Sequence, residues 1–238
     1  MNRKIIFIFL IAFNFFGCKK GPFGNSGKTV IFERKAAPFN KISLFNNIDL
    51  ILTQDTVESI KVEAGENVQP SIITDIQQNT LTIKNASNSL VNQPNEVVKV
   101  YVSVKLLQYL NYQGAGSVTC TNTIQTEYIN IISNTGAGNV YLKLNAGWTI
   151  AGIYDDDADF IFSGQTNGCD LYCSSRGTMD LRDFKTKELK LDYSGVRNAY
   201  VYVTDTLKGT IYYKGNVYYR GAPALKVQTT NEGRFIGY

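Results

Sequence analysis

An all-β solenoid with a repeat of about 20 residues is the fold this sequence predicts, and three observations predict it. The first is composition. Of 238 residues, 44% are hydrophobic, enough for a sizeable core, but only 18% are charged, against about 25% in an average soluble protein. Asn, Thr, Gly and Tyr fill the difference, a mixture suited to β-structure. The second is period-two alternation from Phe39 to Leu110, seen at Ile42 and Leu44, at Ile48, Leu50 and Leu52, at Ile60 and Val62, at Leu81 and Ile83, and from Val98 to Val104. Polar turns such as Gly65-Glu66-Asn67 and the stretch 85–94 separate these runs, and no sustained helical period occurs. The third is internal repetition from Tyr112 onward.

Seven segments superpose when one residue of each is taken as an anchor: 116, 138, 158, 177, 197, 215 and 233, with steps of 22, 20, 19, 20, 18 and 18. Two residues past the anchors stand Val118, Val140, Phe160, Met179, Ala199, Val217 and Phe235, all apolar. Four past stand Cys120, Leu142, Phe162, Leu181, Val201, Tyr219 and, at the last repeat, Gly237. One past are Ser117, Asn139, Asp159, Thr178, Asn198, Asn216 and Arg234, all polar. Positions two and four therefore point inward, and one and three outward. A second short strand precedes each corner, for example Ile129–Ile131, Leu171–Cys173, Leu189–Leu191 and Leu225–Val227. One such turn cannot bury its own apolar face, whereas stacked turns build a continuous column. The anchor is Gly in five of the seven repeats, and the expected reason is a positive φ that turns the chain before the strand.

The first residues read as a targeting segment. Asn2-Arg3-Lys4 precedes an apolar run over 5–16, shorter than the roughly 20 residues of a spanning helix and fitting residues 1–17 as a signal peptide. Phe15-Phe16-Gly17-Cys18 resembles the lipobox of bacterial lipoproteins, with Phe15 and Phe16 in place of the usual Leu and small residue. That resemblance implies cleavage before Cys18 and acylation of its thiol. Residues 18–28, rich in Gly, Lys and Ser, read as a flexible tether, leaving 29–238 as one domain with a strand-rich part (39–110) and a repeat part (112–238). No second apolar stretch is long enough to span a bilayer. Without Arg3 and Lys4 the chain carries 22 basic and 20 acidic residues, a net +2, and no Lys/Arg block. A nucleic-acid partner is not expected.

The tandem Gly-x-Gly-Asn/Asp-Val corners, the segment from Tyr213 to Pro223 and the closing Gly233-Arg234-Phe235 resemble the GIN-domain family of envelope lipoproteins. The opening Phe39-Asn40-Lys41-Ile42 and the strand from Val100 to Leu110 are similar too. The third repeat departs from the pattern with Asp156-Asp157-Ala158, and Lys105 stands where Pro is common. The resemblance spans 39–238. It implies a right-handed parallel β-helix, an envelope location at the outer membrane (cell surface or periplasmic face) and an adhesin-like role.

The chemistry-bearing residues are few. The absence of His removes Ser-His-Asp, Cys-His and His-metal sites, and no phosphate-cradling loop leads into a helix. No catalytic residue and no cofactor is therefore expected. Asp155, Asp156, Asp157 and Asp159 form an acidic cluster. It could offer oxygen ligands to calcium in a polysaccharide-active enzyme, or simply replace Gly at a corner, where Asp tolerates left-handed backbone. Cys120, Cys169 and Cys173 read as small buried residues; the spacing of the last two is too long for a disulfide along a strand. Trp148 is expected in the core. Tyr141, Tyr200 and Tyr218 share the outward third column, with Tyr200 and Tyr218 in successive turns about 4.8 Å apart. Such a ladder suits the ring of a glycan or the flat face of an envelope protein. A non-enzymatic envelope binding module, anchored through its lipid, is the function the sequence favours. The exposed ends of a solenoid suggest self-association as well.

Overall fold

The computed structural model describes residues 26–87 and 97–238. The signal segment and Cys18 lie outside the described residues, as does most of the turn at 85–94. Stacked coils make a β-solenoid of about six turns. Four long strands carry most of it: Asn139–Tyr154 (β11), Asp159–Ser174 (β12), Met179–Tyr193 (β13) and Ala199–Ile211 (β14). Each pairs with the next in parallel, and each spans two of the segments that the sequence shows as separate short runs. Ile124–Ser133 (β10) precedes them; Val217–Arg220 (β15), Ala224–Thr229 (β16) and Phe235–Gly237 (β17) close the stack.

The N-terminal part follows a different order. Lys41–Asn46 (β2) and Ile48–Gln54 (β3) form a coil that comes first in the chain but second in space. It lies between the coil of Thr80–Asn85 (β6) and Val98–Val104 (β7) on one side and that of Tyr109–Gly114 (β8) and Val118–Cys120 (β9) on the other, parallel to both. The run from Val100 to Leu110 is accordingly two strands. Antiparallel strands then finish this end: Ser59–Gly65 (β4) pairs with β7, Thr29–Arg34 (β1) with β4, and Ile72–Gln77 (β5) with β6. The carbonyls of Ser26 and Lys28 accept from the amides of Asn67 and Glu66, so ordered contacts begin within the stretch read as tether. No helix among the described residues is long and apolar enough to cross a membrane.

The inward columns are as the repeat predicts. Val118, Val140, Phe160, Met179, Ala199 and Val217 are buried two past the anchor, and Leu142, Phe162, Leu181 and Val201 four past it. Phe160 stacks on Phe162 at 5.5 Å between ring centroids, and Phe162 meets Phe184 edge-on at 6.0 Å. Trp148 is not core. It is 38% exposed, lies across Gly168, where a Cβ would stand 2.0 Å from the indole ring, and donates from Nε1 to Asp170 at 3.0 Å. The missing side chain of Gly168 makes an outside berth for the ring.

The anchor glycines also serve a different purpose from the expected one. None has a positive φ; among the described glycines only Gly27, Gly164 and Gly221 do. What the anchors lack is room. A Cβ on Gly138 would meet the Gly116 carbonyl oxygen at 2.5 Å, one on Gly177 the Ala158 oxygen at 1.9 Å, one on Gly215 the Arg197 oxygen at 2.0 Å, and one on Gly233 the Gly215 oxygen at 2.5 Å. Each corner rests on the backbone of the corner before it. Amides tie the same contacts: Ala115 donates to Asn46, Ala137 to Gly114, Asp159 to Gly138, Arg176 to Asp156, Val196 to Ser175, Gly215 to Gly195 and Gly233 to Tyr213, at 2.8–3.3 Å.

Side chains complete the corners. Residues one past the anchor accept amides of the next coil, Asp159 from Thr178, Asn198 from Asn216 and Asn216 from Arg234, and Asp49, opposite Ser117 on the N-terminal coil, accepts the Ser117 amide in the same way, all at 2.7–3.1 Å. The polar column seen in the sequence is thus a ladder of backbone acceptors. Two buried tyrosines brace the corners from inside, Tyr112 donating to the Gly116 carbonyl and Tyr193 to that of Arg197, both at 2.5 Å. Burial pushes the Tyr112 hydroxyl up to about 12, so it stays a donor.

Two expected outcomes follow from this packing. Phe162→Ala should cost ~3–5 kcal/mol in chemical denaturation, and Tyr141→Ala, on the outside, under about 1 kcal/mol; equal losses would put the register out by one residue. Gly177→Ala should destabilise by ~1–3 kcal/mol through overpacking, whereas at an uncrowded position without positive φ the same change would stabilise by about 0.4–1 kcal/mol. Denaturation midpoints of the two proteins measure the difference.

Candidate ligand-binding face

The outward third column runs, coil by coil, through Tyr141, Ile161, Asp180, Tyr200, Tyr218 and Ile236. Parallel pairing holds these residues in line, so whatever they carry is repeated at the spacing of the coils. Tyr200 and Tyr218 stack at 5.3 Å between centroids with 17° between planes, and Tyr238 abuts Tyr218 edge-on at 6.4 Å. The ladder expected from the sequence is present and one ring longer.

A bulge shapes the rest of the face. Between Leu181 and Lys185 the pairing of β13 with β14 loses register, and β12 with β13 slips between Ile161 and Ser163. The extra residues turn Phe184 into the core and push Arg182 and Asp183 outward. Arg182 then lies over the Tyr200 ring at 4.3 Å and is fixed by Asp180 at 2.7 Å. Asp180 holds the guanidinium above its usual range. Arg220 repeats the arrangement over Tyr202 at 4.2 Å and pairs with Asp183 at 3.5 Å. Tyr141 does not touch the tyrosine pair. It borders a groove of about 280 Å³ that also takes in Ile161, Ser163, Asp180, Asp183 and Lys143, which brings the far tyrosine and the Arg182 bulge to the two sides of one depression. Arg182 and Asp183 were not legible as site residues because a bulge breaks the columns that reveal the others; Arg220 and Tyr238 lie outside the bulge, past the column positions that the repeat defines.

The acidic cluster does not converge. Asp155 is exposed and left-handed at φ 51°. Asp156 is buried and spent on the corner, accepting from Ser133 Oγ at 2.5 Å, from the Gly136 amide at 3.0 Å and from the Ala158 amide at 3.1 Å. Asp157 takes a two-pronged bond from Arg176 at 2.8 Å, and Asp159 accepts from the Thr178 amide at 2.7 Å. No group of three or more His, Cys, Asp or Glu is placed to hold a metal ion among the described residues. Asp155, Asp156, Asp157 and Asp159 are thus directed at different partners, Asp156 and Asp159 at corner amides and Asp157 at Arg176. Cys120, Cys169 and Cys173 are free thiols whose pKa values burial raises, which leaves them poor nucleophiles. The exposed face offers flat rings, cations and carboxylates in fixed positions; it can hold a ligand by contact.

Solved structures share this fold. A putative adhesin from Bacteroides fragilis is similar with a TM-score of 0.83 and 18% identity over 89% of this chain and 97% of its own. A putative adhesin from Parabacteroides distasonis gives 0.73 and 20% over 89% and 98%. A protein from the same organism described as a putative lipid binding protein gives 0.72 and 19% over 89% and 97%. No curated protein matches. The sequence profile of one family, the "putative auto-transporter adhesin, head GIN domain", matches residues 38–223, which include most of the coil stack, the bulge and both stacked tyrosines, and the chain belongs to that family.

Proposed function

We propose that this chain is an exported, lipid-anchored binding module of the cell envelope, without catalytic activity, and that it holds glycan rings on the face built by Tyr200, Tyr218, Arg182 and the adjoining groove to Tyr141. The observation that carries the reading is the Tyr200–Tyr218 stack with an arginine fixed over one ring. Two half-buried aromatic rings stacked on neighbouring strands present a rigid surface whose ordering cost is already met by the sheet. Sugar rings stack on such surfaces through their C–H faces, and the Asp180–Arg182 pair beside them supplies hydrogen-bond partners for hydroxyls. The description of the family as adhesin heads supports a binding role rather than a catalytic one. Cys18, at the end of the apolar leader, supports the anchor.

Replacing both Tyr200 and Tyr218 with Ser should remove binding to the glycans that the mature chain retains on an array, while the far-ultraviolet spectrum stays that of the parent. Retention at undiminished strength by the folded double variant would place the site elsewhere. Cys18→Ser should shift the protein from the membrane fraction to an unprocessed or soluble form; a variant that stays membrane-bound with its leader removed would exclude anchoring through this residue.

A further inference from the structure

A second outward column, further along the same long strands, ends in three successive lysines. It runs Asn130, Ile150, Asp170, Lys190, Lys208, Lys226, through five successive pairings. The three lysines are exposed and directly opposite one another on β13, β14 and β16, one coil spacing apart. Like charges in directly opposed positions destabilise a sheet. None of the three makes an ion pair among the described residues. Asp170, next in the column, is taken by the Trp148 indole.

A defence of the sheet edge explains only part of this. Lysine on an edge strand discourages pairing with another chain, which accounts for Lys226 on the last coil. Lys190 and Lys208 stand on inner strands with a neighbour on each side. The columns flanking the lysines are also unequal. Beside Lys190 lie Glu188 and Asp192, whereas Lys208 and Lys226 have Thr206 and Ala224 on one side and Thr210 and Gln228 on the other. The two lysines nearest the open end thus face no anion. Gly209 has no side chain, and Gln228 Nε2 donates to Thr210 Oγ1 at 3.0 Å. A groove of about 470 Å³ opens there, bordered by the three lysines, by Thr210 and Gln228, and at the Lys190 end by the single acid Asp192.

We propose that the Lys190–Lys208–Lys226 ladder is a binding site for an acidic glycan, a polymer of carboxylate-bearing sugars lying along the solenoid axis. A polymer lying along the row can set carboxylates against ammonium groups spaced one coil apart. A lysine donates as a point charge with three protons and tolerates some mismatch along the row. The near-neutral net charge and the acids beside Lys190 disfavour a nucleic acid, which needs a broad basic surface. This site lies further along each coil than the tyrosine face and does not rest on the function proposed for it.

The test uses the mature full-length chain, polygalacturonate and its fully methyl-esterified form, in the presence of chelator, by calorimetry at two salt concentrations. Polygalacturonate should bind, the ester should not, and binding should weaken as salt rises. The variant Lys208→Gln/Lys226→Gln should lose at least about tenfold in affinity, with the Tyr200→Ser/Tyr218→Ser variant unchanged toward this polymer. Equal binding of acid and ester, or full affinity in the lysine variant, would overturn the site. Binding to vesicles containing phosphatidylglycerol but not to polygalacturonate would make the ladder a membrane-facing patch and equally defeat the proposal. If the lysine variant misfolds, Lys190→Gln/Lys208→Gln serves in its place.

Discussion

The rest of the molecule depends on how closely one corner sits on the next. At the anchors the carbonyl of one coil occupies the space where the next coil would carry a Cβ, 1.9–2.5 Å from it at Gly138, Gly177, Gly215 and Gly233. A side chain at these four glycines would meet that carbonyl and force the local backbone to shift, whereas the coils that carry Ala158 and Arg197 at the equivalent place hold their corners without so close an approach at a glycine. The approach also explains why the corner needs so many small acceptors. Backbone groups brought together in a dry place must be paired, and the amide-to-carbonyl ladder from Asn46 to Gly233, with the Asp and Asn side chains one residue on, pairs them. Asp156 shows the same need where the pattern is broken. It stands at the place of a corner glycine, and its carboxylate serves three donors, on its own coil and the one before.

Register held this tightly turns the outer surface into ladders. Parallel pairing places the same position of every coil in one column, so a residue type repeated at steps of 18 to 20 becomes a row with a fixed spacing. Tyr200 and Tyr218 are such a row, and Lys190, Lys208 and Lys226 another. Neither needs a folded loop to arrange it. The one irregular element on the binding face is the β13 bulge, where inserted residues break the row and swing Arg182 across a ring. A regular scaffold with a local insertion gives a flat, stiff platform bearing one shaped feature.

The columns were legible because burial acts on every coil alike. Val140 and Phe162 could be placed inward, and Tyr200 beside Tyr218, from spacing alone. What stayed hidden belongs to contacts between distant residues. The reason for glycine at the anchors is a neighbour's carbonyl some 20 residues away, which composition cannot distinguish from a demand for positive φ. Trp148 looked like core because a large apolar ring usually is, but its berth comes from the bare Gly168 on the next coil. The order of the first coils was illegible for a related reason: β2 and β3 are flanked by parallel strands on both sides, and nothing in their alternation says which strands those are. Arg182 and Asp183 lie in the bulge, where the periodicity that would have exposed them stops.

Residue-resolved hydrogen exchange on the mature chain tests the stacked corners most directly. The amides of Asp159, Arg176, Val196, Gly215 and Gly233 each donate to the corner before them. They should exchange as slowly as strand amides at Val140 and Val201, opening only with the coils themselves. If these corner amides exchange at the rate of an open loop while the strands stay protected, the coils are held by their sheets alone and the close approach at the glycines is not what sets the register.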